Sequence, residues 1–134
     1  MEKEIYNLFV GRWQPPHLGH MYLFNEILKH NKKVLIAIRD VLPDEKNPLT
    51  SLQVKGLWEK IYSDSEDVKV MIIPDIESIN WGRGVGYKTT EHVPPADIYN
   101  ISATQIRNEI KNGSDSWKKM VNEKVHDEIF ELLK

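Results

Sequence analysis

Five apolar residues in a row, Val34-Leu-Ile-Ala-Ile38, constrain this chain more than any other stretch. A strand with one face in water alternates polar and apolar side chains, whereas an unbroken run reads as a strand covered on both faces. Ile5–Val10 and Val68–Ile73 read as two further strands. Between them the spacing changes to that of helices. Met21–His30 gathers Leu23, Phe24, Ile27 and Leu28 on one face, and Ser51–Tyr62 does the same with Val54, Leu57, Trp58 and Ile61. Strand, helix, strand, helix, strand with short turns predicts a parallel sheet with right-handed crossovers. The expected fold is α/β, a parallel sheet with helices on both faces. A chain of 134 residues has room for one core, so residues 1–134 are read as a single domain.

Composition narrows the function classes. Hydrophobic residues make up 40% and charged residues 28%, the balance of a soluble globular protein. A net charge of −2 gives no general attraction to nucleic acid or an anionic membrane, so phosphate binding has to be local. The absence of cysteine excludes disulfides, thiolate nucleophiles and cysteine-based zinc sites, and suits a reducing cytosol. Met1-Glu-Lys-Glu4 is charged and leads directly into a strand, unlike a signal peptide. No apolar run approaches the ~20 residues of a membrane span. The expected location is the cytoplasm.

The rest of the chain is less regular. Asp40–Leu49 reads as a polar loop broken by Pro43, Asn47 and Pro48. Within Pro74–Asn100, Val85, Tyr87 and Thr89 alternate beside Gly82, Gly84 and Gly86, which predicts an irregular strand. Ser102, with Gln105 three residues on, predicts a capping box opening a helix at Ala103, and Gly113 ends that helix. Asn122–Leu133 predicts a last helix with Val125, Ile129, Leu132 and Leu133 inward.

Two segments carry chemistry. The first, Gly11-Arg-Trp-Gln-Pro-Pro-His-Leu-Gly-His20, lies between the first strand and the first helix. In a doubly wound sheet that turn meets the phosphates of a ligand. Gly11 permits close approach of the backbone, and Pro15 and Pro16 stiffen the turn. His17 and His20 are three residues apart and can project the same way from a helix start, where free N–H groups favour phosphate oxygens. Gly19 leaves space there for a base or ribose. Read alone, the pair serves equally well as capping or core histidines. A metal site is weaker, because Asp40 and His92 are distant in sequence.

The second segment, Ile101-Ser-Ala-Thr-Gln-Ile-Arg107, opens a helix with two hydroxyls and an arginine. Thr104 can donate to a phosphate oxygen, and the Arg107 fork can hold two. By itself this is also an ordinary capped helix with a solvated arginine.

Together the two segments resemble the signatures of the HxGH nucleotidyltransferase superfamily, and the resemblance covers nearly the whole chain. Within it, Gly-Arg-Trp-Gln-Pro-x-His-x-Gly-His is similar to the nicotinamide-nucleotide adenylyltransferase form. Cytidylyltransferases more often carry Gly-Thr-Phe-Asp before the histidines and Arg-Thr-x-Gly before the second motif. Here Arg12, Gln14 and Ile98-Tyr-Asn100 stand at those places. Lys46–Thr50 and Ser116–Val121 also resemble the adenylyltransferase pattern. The family usually has a helix and another clear strand before the second motif, whereas here that interval is Asn80–Asn100 with its glycine-rich loop.

The resemblance implies a Rossmann-like fold and attack of an acceptor phosphate on the α-phosphorus of a nucleoside triphosphate, ATP rather than CTP. Nicotinamide mononucleotide is the acceptor it suggests. His17, His20 and Arg107 would be catalytic; Gly11, Arg12, Trp13, Gln14, Gly19, Ile101, Ser102 and Thr104 would bind the nucleotide. Arg39, Asp40, Lys46, Trp81 and Arg83 are the acceptor candidates, each also readable as a surface residue or, for Trp81 and Arg83, part of a tight turn. Mg²⁺ is the implied cofactor with no protein ligand named, and a homo-oligomer is expected from family likeness alone. The rivals are a CTP-dependent cytidylyltransferase acting on a phosphorylated alcohol or sugar, and a nucleotide-binding module without turnover.

Overall fold

In a computed structural model, which describes residues 4–134, three strands run parallel in the order β1-β2-β3. They are β1 (Tyr6–Gly11), β2 (Lys33–Asp40) and β3 (Val68–Pro74). The leading Met1–Lys3, part of the charged start noted above, lie outside the described residues. Helices α1 (Leu18–Leu28) and α2 (Ser51–Ile61) make the two crossovers. The register aligns Phe9, Ile36 and Val70 across the sheet, and Leu8, Leu35 and Lys69 on the opposite side of the pleat.

That alternation decides where the core lies. Phe9, Val34, Ile36, Ile38, Val68, Val70 and Ile72 all join one apolar cluster with Phe24 of α1 and Trp58 of α2. Two later helices, α4 (Ala103–Lys111) and α5 (His126–Leu133), add Ile106, Ile110, Ile129 and Leu133 to the same cluster. The opposite face holds Leu8, 54% exposed, and the exposed Met71 and Lys69. The α/β class and the parallel sheet are as expected. The apolar residues of α1, α2, α4 and α5 join the cluster on one face of the sheet. An apolar run shows that a strand avoids polar side chains, and it does not show which face a helix covers.

Past β3 the chain differs further. Ile76–Ile79 pass beside Val10 and Arg39 at the end of the second face. The expected strand at Val85–Thr89 is absent, because Gly84 (φ 81°) and Gly86 (φ 69°) hold the backbone in the left-handed region on either side of Val85. His92 then packs its ring 5.9 Å from Phe9. A short helix α3 (Ala96–Tyr99) that the periodicity does not announce follows, packed against α1.

Helix ends follow local chemistry. Thr50 and Gln53 close a capping box on α2. At α4, Ser102 Oγ accepts from the Gln105 N–H, yet the Gln105 side chain turns away to Glu109, so the expected box is half formed. Gly113 (φ 79°) follows the end of α4, as expected. The last expected helix is split: a 3-10 turn, Glu123–Val125, is capped by Asn122, and α5 begins at His126. No helix among the described residues is long and apolar enough to cross a membrane.

The one-sided core predicts unequal responses to substitution. Ile36→Ala should cost about 2–5 kcal/mol, and Leu8→Ser should stay within about 0.5 kcal/mol, both read from urea unfolding. Equal losses would mean that the second face is covered in solution.

Candidate active site

The turn between β1 and α1 is built by its own side chains. Trp13 takes a left-handed backbone (φ 57°), rare for a bulky residue, and is held there by its indole. Nε1 donates to the Ala37 carbonyl of β2 at 3.2 Å, and the ring meets His20, Phe24 and Trp58 edge-on. Gly11 makes room for this: a Cβ there would lie 2.8 Å from the Trp13 ring. Gly11 therefore admits an indole where the sequence suggested a ligand.

Gln14 follows, only 6% exposed and joined to Pro15 by a cis peptide. Its Nε2 donates to the Leu49 carbonyl at 2.9 Å, and its Oε1 accepts from the Leu49 N–H at 2.8 Å. Its own carbonyl accepts from Arg107 Nη1 at 2.7 Å. That last bond joins the two motifs, 93 residues apart in sequence. Arg107 Nη2 also donates to Thr104 Oγ1 at 3.3 Å, leaving the rest of the guanidinium fork for a ligand. Burial lowers the Arg107 pKa from its ordinary value, but a guanidinium stays charged. Ser102 caps α4, and Ile101 packs against the core.

The histidines cap α1 between them. His17 Nδ1 accepts from the Gly19 N–H at 3.0 Å, and His20 Nδ1 accepts from the His17 N–H at 3.2 Å. The rings stack at 3.6 Å between centroids. Burial lowers His17 to about 4 and holds His20 well below its ordinary value, where the nearby His17 also contributes. Both rings are thus neutral at pH 7. With both Nδ1 atoms accepting, each proton sits on Nε2. Neither Nε2 has a hydrogen-bond partner among the described residues. The pair presents two neutral N–H donors beside the start of a helix. Gly19 makes this stacking possible, since a Cβ there would lie 2.8 Å from His17 Cε1 and 3.6 Å from the Ile98 carbonyl. Its open space is filled by His17, in place of the base or ribose suggested by sequence.

Other expected residues are placed differently. Arg12 reaches the loop after β2, with Nη2 donating to the Leu42 carbonyl and Nη1 3.7 Å from Asp44. Arg39 pairs with Asp75 through Nε and Nη2, both at 2.8 Å, and Asp40 accepts from Ser51 Oγ. Trp81 meets Tyr87 edge-on and is half exposed, and Arg83 is exposed. Among the described residues, no hydrogen bond, ion pair or ring contact joins Lys46, Trp81 or Arg83 to the histidines or Arg107.

Three contributors escape the sequence reading. Leu49 acts only through its backbone, for which no sequence signal exists. Asp44 organises its loop by accepting from the N–H groups of Lys46 and Asn47, a turn that Asp-x-x-Asn-Pro could have signalled. Trp58, placed by its spacing in the core, also backs the His20 ring, and its Nε1 is buried without a partner.

Comparison with known proteins supplies names for this arrangement. No family model matches the chain. It is 29% identical over 161 residues to a nicotinamide-nucleotide adenylyltransferase of Pyrobaculum arsenaticum, covering 93% of this chain and 87% of that protein. A protein of the same name from Pyrobaculum aerophilum is 27% identical over 149 residues, covering 88% and 83%. Among solved structures, a bifunctional NMN adenylyltransferase/ADP ribose pyrophosphatase from Francisella tularensis aligns over 98% of this chain with a TM-score of 0.60 and 19% identity. The chain spans about half of that protein, 52% of its length, and the likeness there is one of fold. The relatives bear out the resemblance to the HxGH nucleotidyltransferases, and the fold is Rossmann-like.

Buried neutral histidines have a stability signature. Between about pH 6.5 and 4 the unfolded chain binds protons that the folded His17 does not, so stability is full above 6.5 and falls as pH drops. The slope should reach up to about 1.4 kcal/mol per pH unit per histidine. Urea unfolding at stepped pH values should show it, and His17→Asn should flatten part of it. A flat profile from pH 7 to about 5 would contradict the buried neutral pair.

Proposed function

We propose that this member of the HxGH nucleotidyltransferase superfamily transfers AMP from ATP to the phosphate of nicotinamide mononucleotide, releasing pyrophosphate. The observation that carries the reading is the Arg107–Gln14 bond, which puts an arginine fork beside the turn that leads to two free imidazole N–H donors. The curated relatives bear the name of this reaction.

An acceptor phosphate oxygen attacks the α-phosphorus. A new P–O bond forms as the bond to the bridging α–β oxygen breaks, and its electron pair leaves with pyrophosphate. No covalent enzyme intermediate is needed, so the protein contributes position and charge stabilisation. Neutral His17 and His20 donate from Nε2 to α- and β-phosphate oxygens as charge grows there. Remaining neutral, they need no proton transfer to act. Arg107, with Ser102 and Thr104 at the start of α4, holds the β- and γ-phosphates and the departing pyrophosphate. Lys46, Trp81 and Arg83 stay the acceptor candidates, since Arg39 and Asp40 are engaged by Asp75 and Ser51.

Mg²⁺ belongs to this reading as a counter-ion that screens phosphate charge when bound. Among the described residues no cluster of three or more His, Asp or Glu side chains could hold a metal. The donors at the site suit phosphate oxygens, so we assign no protein ligand and route no step through the ion. The same reading takes residues 1–134 as one cytoplasmic domain that assembles with its own copies and binds neither nucleic acid nor membrane. One continuous apolar cluster supports the single domain.

The test is pyrophosphate release with ATP or CTP across a panel of phosphorylated acceptors, nicotinamide mononucleotide among them. Release should require ATP and that acceptor. His17→Ala, His20→Ala and Arg107→Ala should each lower kcat about 10²- to 10³-fold. Activity with CTP alone would overturn the adenylyl reading. ATP binding without turnover, unaffected by His17→Ala, would establish a binding module in its place.

A further inference from the structure

We propose that Gln14 is a positioning residue that couples the Val41–Leu49 loop to Arg107, so that gripping a triphosphate and ordering that loop are one event. This rests on the nucleotidyl-transfer reading and assigns Gln14 a role other than direct contact with the nucleotide. Both polar atoms of its side chain are committed to the backbone of Leu49, at 2.9 and 2.8 Å. Its carbonyl holds Arg107 Nη1 at 2.7 Å. A buried amide with both polar atoms paired to one backbone residue is not free to shift alone, because an unpaired polar atom there is costly. Movement of Leu49 therefore displaces the Gln14 side chain, and the same residue carries the carbonyl that orients the arginine.

The loop bears groups that respond to phosphate. Lys46 is exposed within it, and Asp44 pairs with Arg12, which flanks the same turn. The Asp44 charge also acts on Arg107. A triphosphate that draws Arg107 and Lys46 together pulls on both ends of a linkage whose middle is Gln14.

Two substitutions of nearly the same shape separate this from a purely structural role. Gln14→Met removes both side-chain bonds. Gln14→Glu keeps an acceptor for the Leu49 N–H, but sets a carboxylate against the Leu49 carbonyl until it is protonated. Gln14→Met should lower kcat/KM for ATP about 10- to 100-fold with little change in pH dependence. Gln14→Glu should be impaired near about pH 8 and recover toward wild type near about pH 5.5, above the value of about 4 to which burial lowers His17. Hydrogen exchange of Val41–Leu49 should slow on adding ATP to wild type and remain unchanged by ATP in Gln14→Met. Wild-type KM and kcat in both variants, or full ATP protection of the loop in Gln14→Met, would overturn the proposal.

If wild type neither binds ATP nor releases pyrophosphate, the nucleotidyltransferase reading fails, and exchange without ligand decides the coupling. Gln14→Met must then speed exchange in both Val41–Leu49 and Ala103–Arg107. Acceleration of one segment alone, or of neither, overturns it.

Discussion

The structure depends on how the turn after β1 is tied down. Within two residues it is anchored to three separate parts of the chain. Trp13 donates to the Ala37 carbonyl of β2, the Gln14 side chain clasps Leu49 before α2, and the Gln14 carbonyl receives Arg107 from α4. The Ala37 and Leu49 anchors use backbone atoms at the far end, so neither depends on the rotamer of a partner side chain, while the third sets the Gln14 backbone against the Arg107 side chain. A left-handed tryptophan is unfavourable alone and is sustained here because the surroundings over-determine it. The turn thereby fixes both motifs in one frame.

Burial of the two histidines follows from this frame. A protonated pair stacked at 3.6 Å in a largely apolar setting would suffer both desolvation and mutual repulsion. Neutrality removes both costs and leaves each ring with one acceptor and one donor. The acceptors go inward, to the Gly19 and His17 N–H groups, and the donors remain for a ligand. Capping the helix and leaving two N–H donors unpaired are thus one arrangement. Capping by the two histidines therefore leaves their Nε2 donors unspent and does not compete with a role in binding.

Much of the fold was legible because it rests on local chemistry. Strand and helix order followed from apolar runs and spacing, and the start of α4 followed from the cap at Ser102. The meeting of Arg107 with the turn that leads to the histidines was suggested only by the pairing of two motifs, since nothing local marks a contact spanning 93 residues. What could not be read depends on tertiary partners. Gln14 was counted among the nucleotide-binding residues, whereas both polar atoms of its side chain are engaged by Leu49. Gly11 and Gly19 looked open until their neighbours' rings filled the space. The alternation of Val85, Tyr87 and Thr89 signalled a strand, but the flanking glycines take a backbone that a strand cannot use.

The segment after β3 shows why a small sheet can suffice. Family likeness leads one to expect another helix and strand there, and the chain instead follows an irregular path from Pro74 to Pro95. None of the bonds that assemble the histidine–arginine site involves that path: its anchors lie on β2, before α2 and on α4. The core under the site is likewise built from one face of the sheet and the helices upon it. Leaving the second face open therefore costs apolar burial at Leu8 and Met71 without loosening the site. Trp81 and Arg83, exposed on that path, can therefore change without disturbing the bonds that hold the histidines and Arg107.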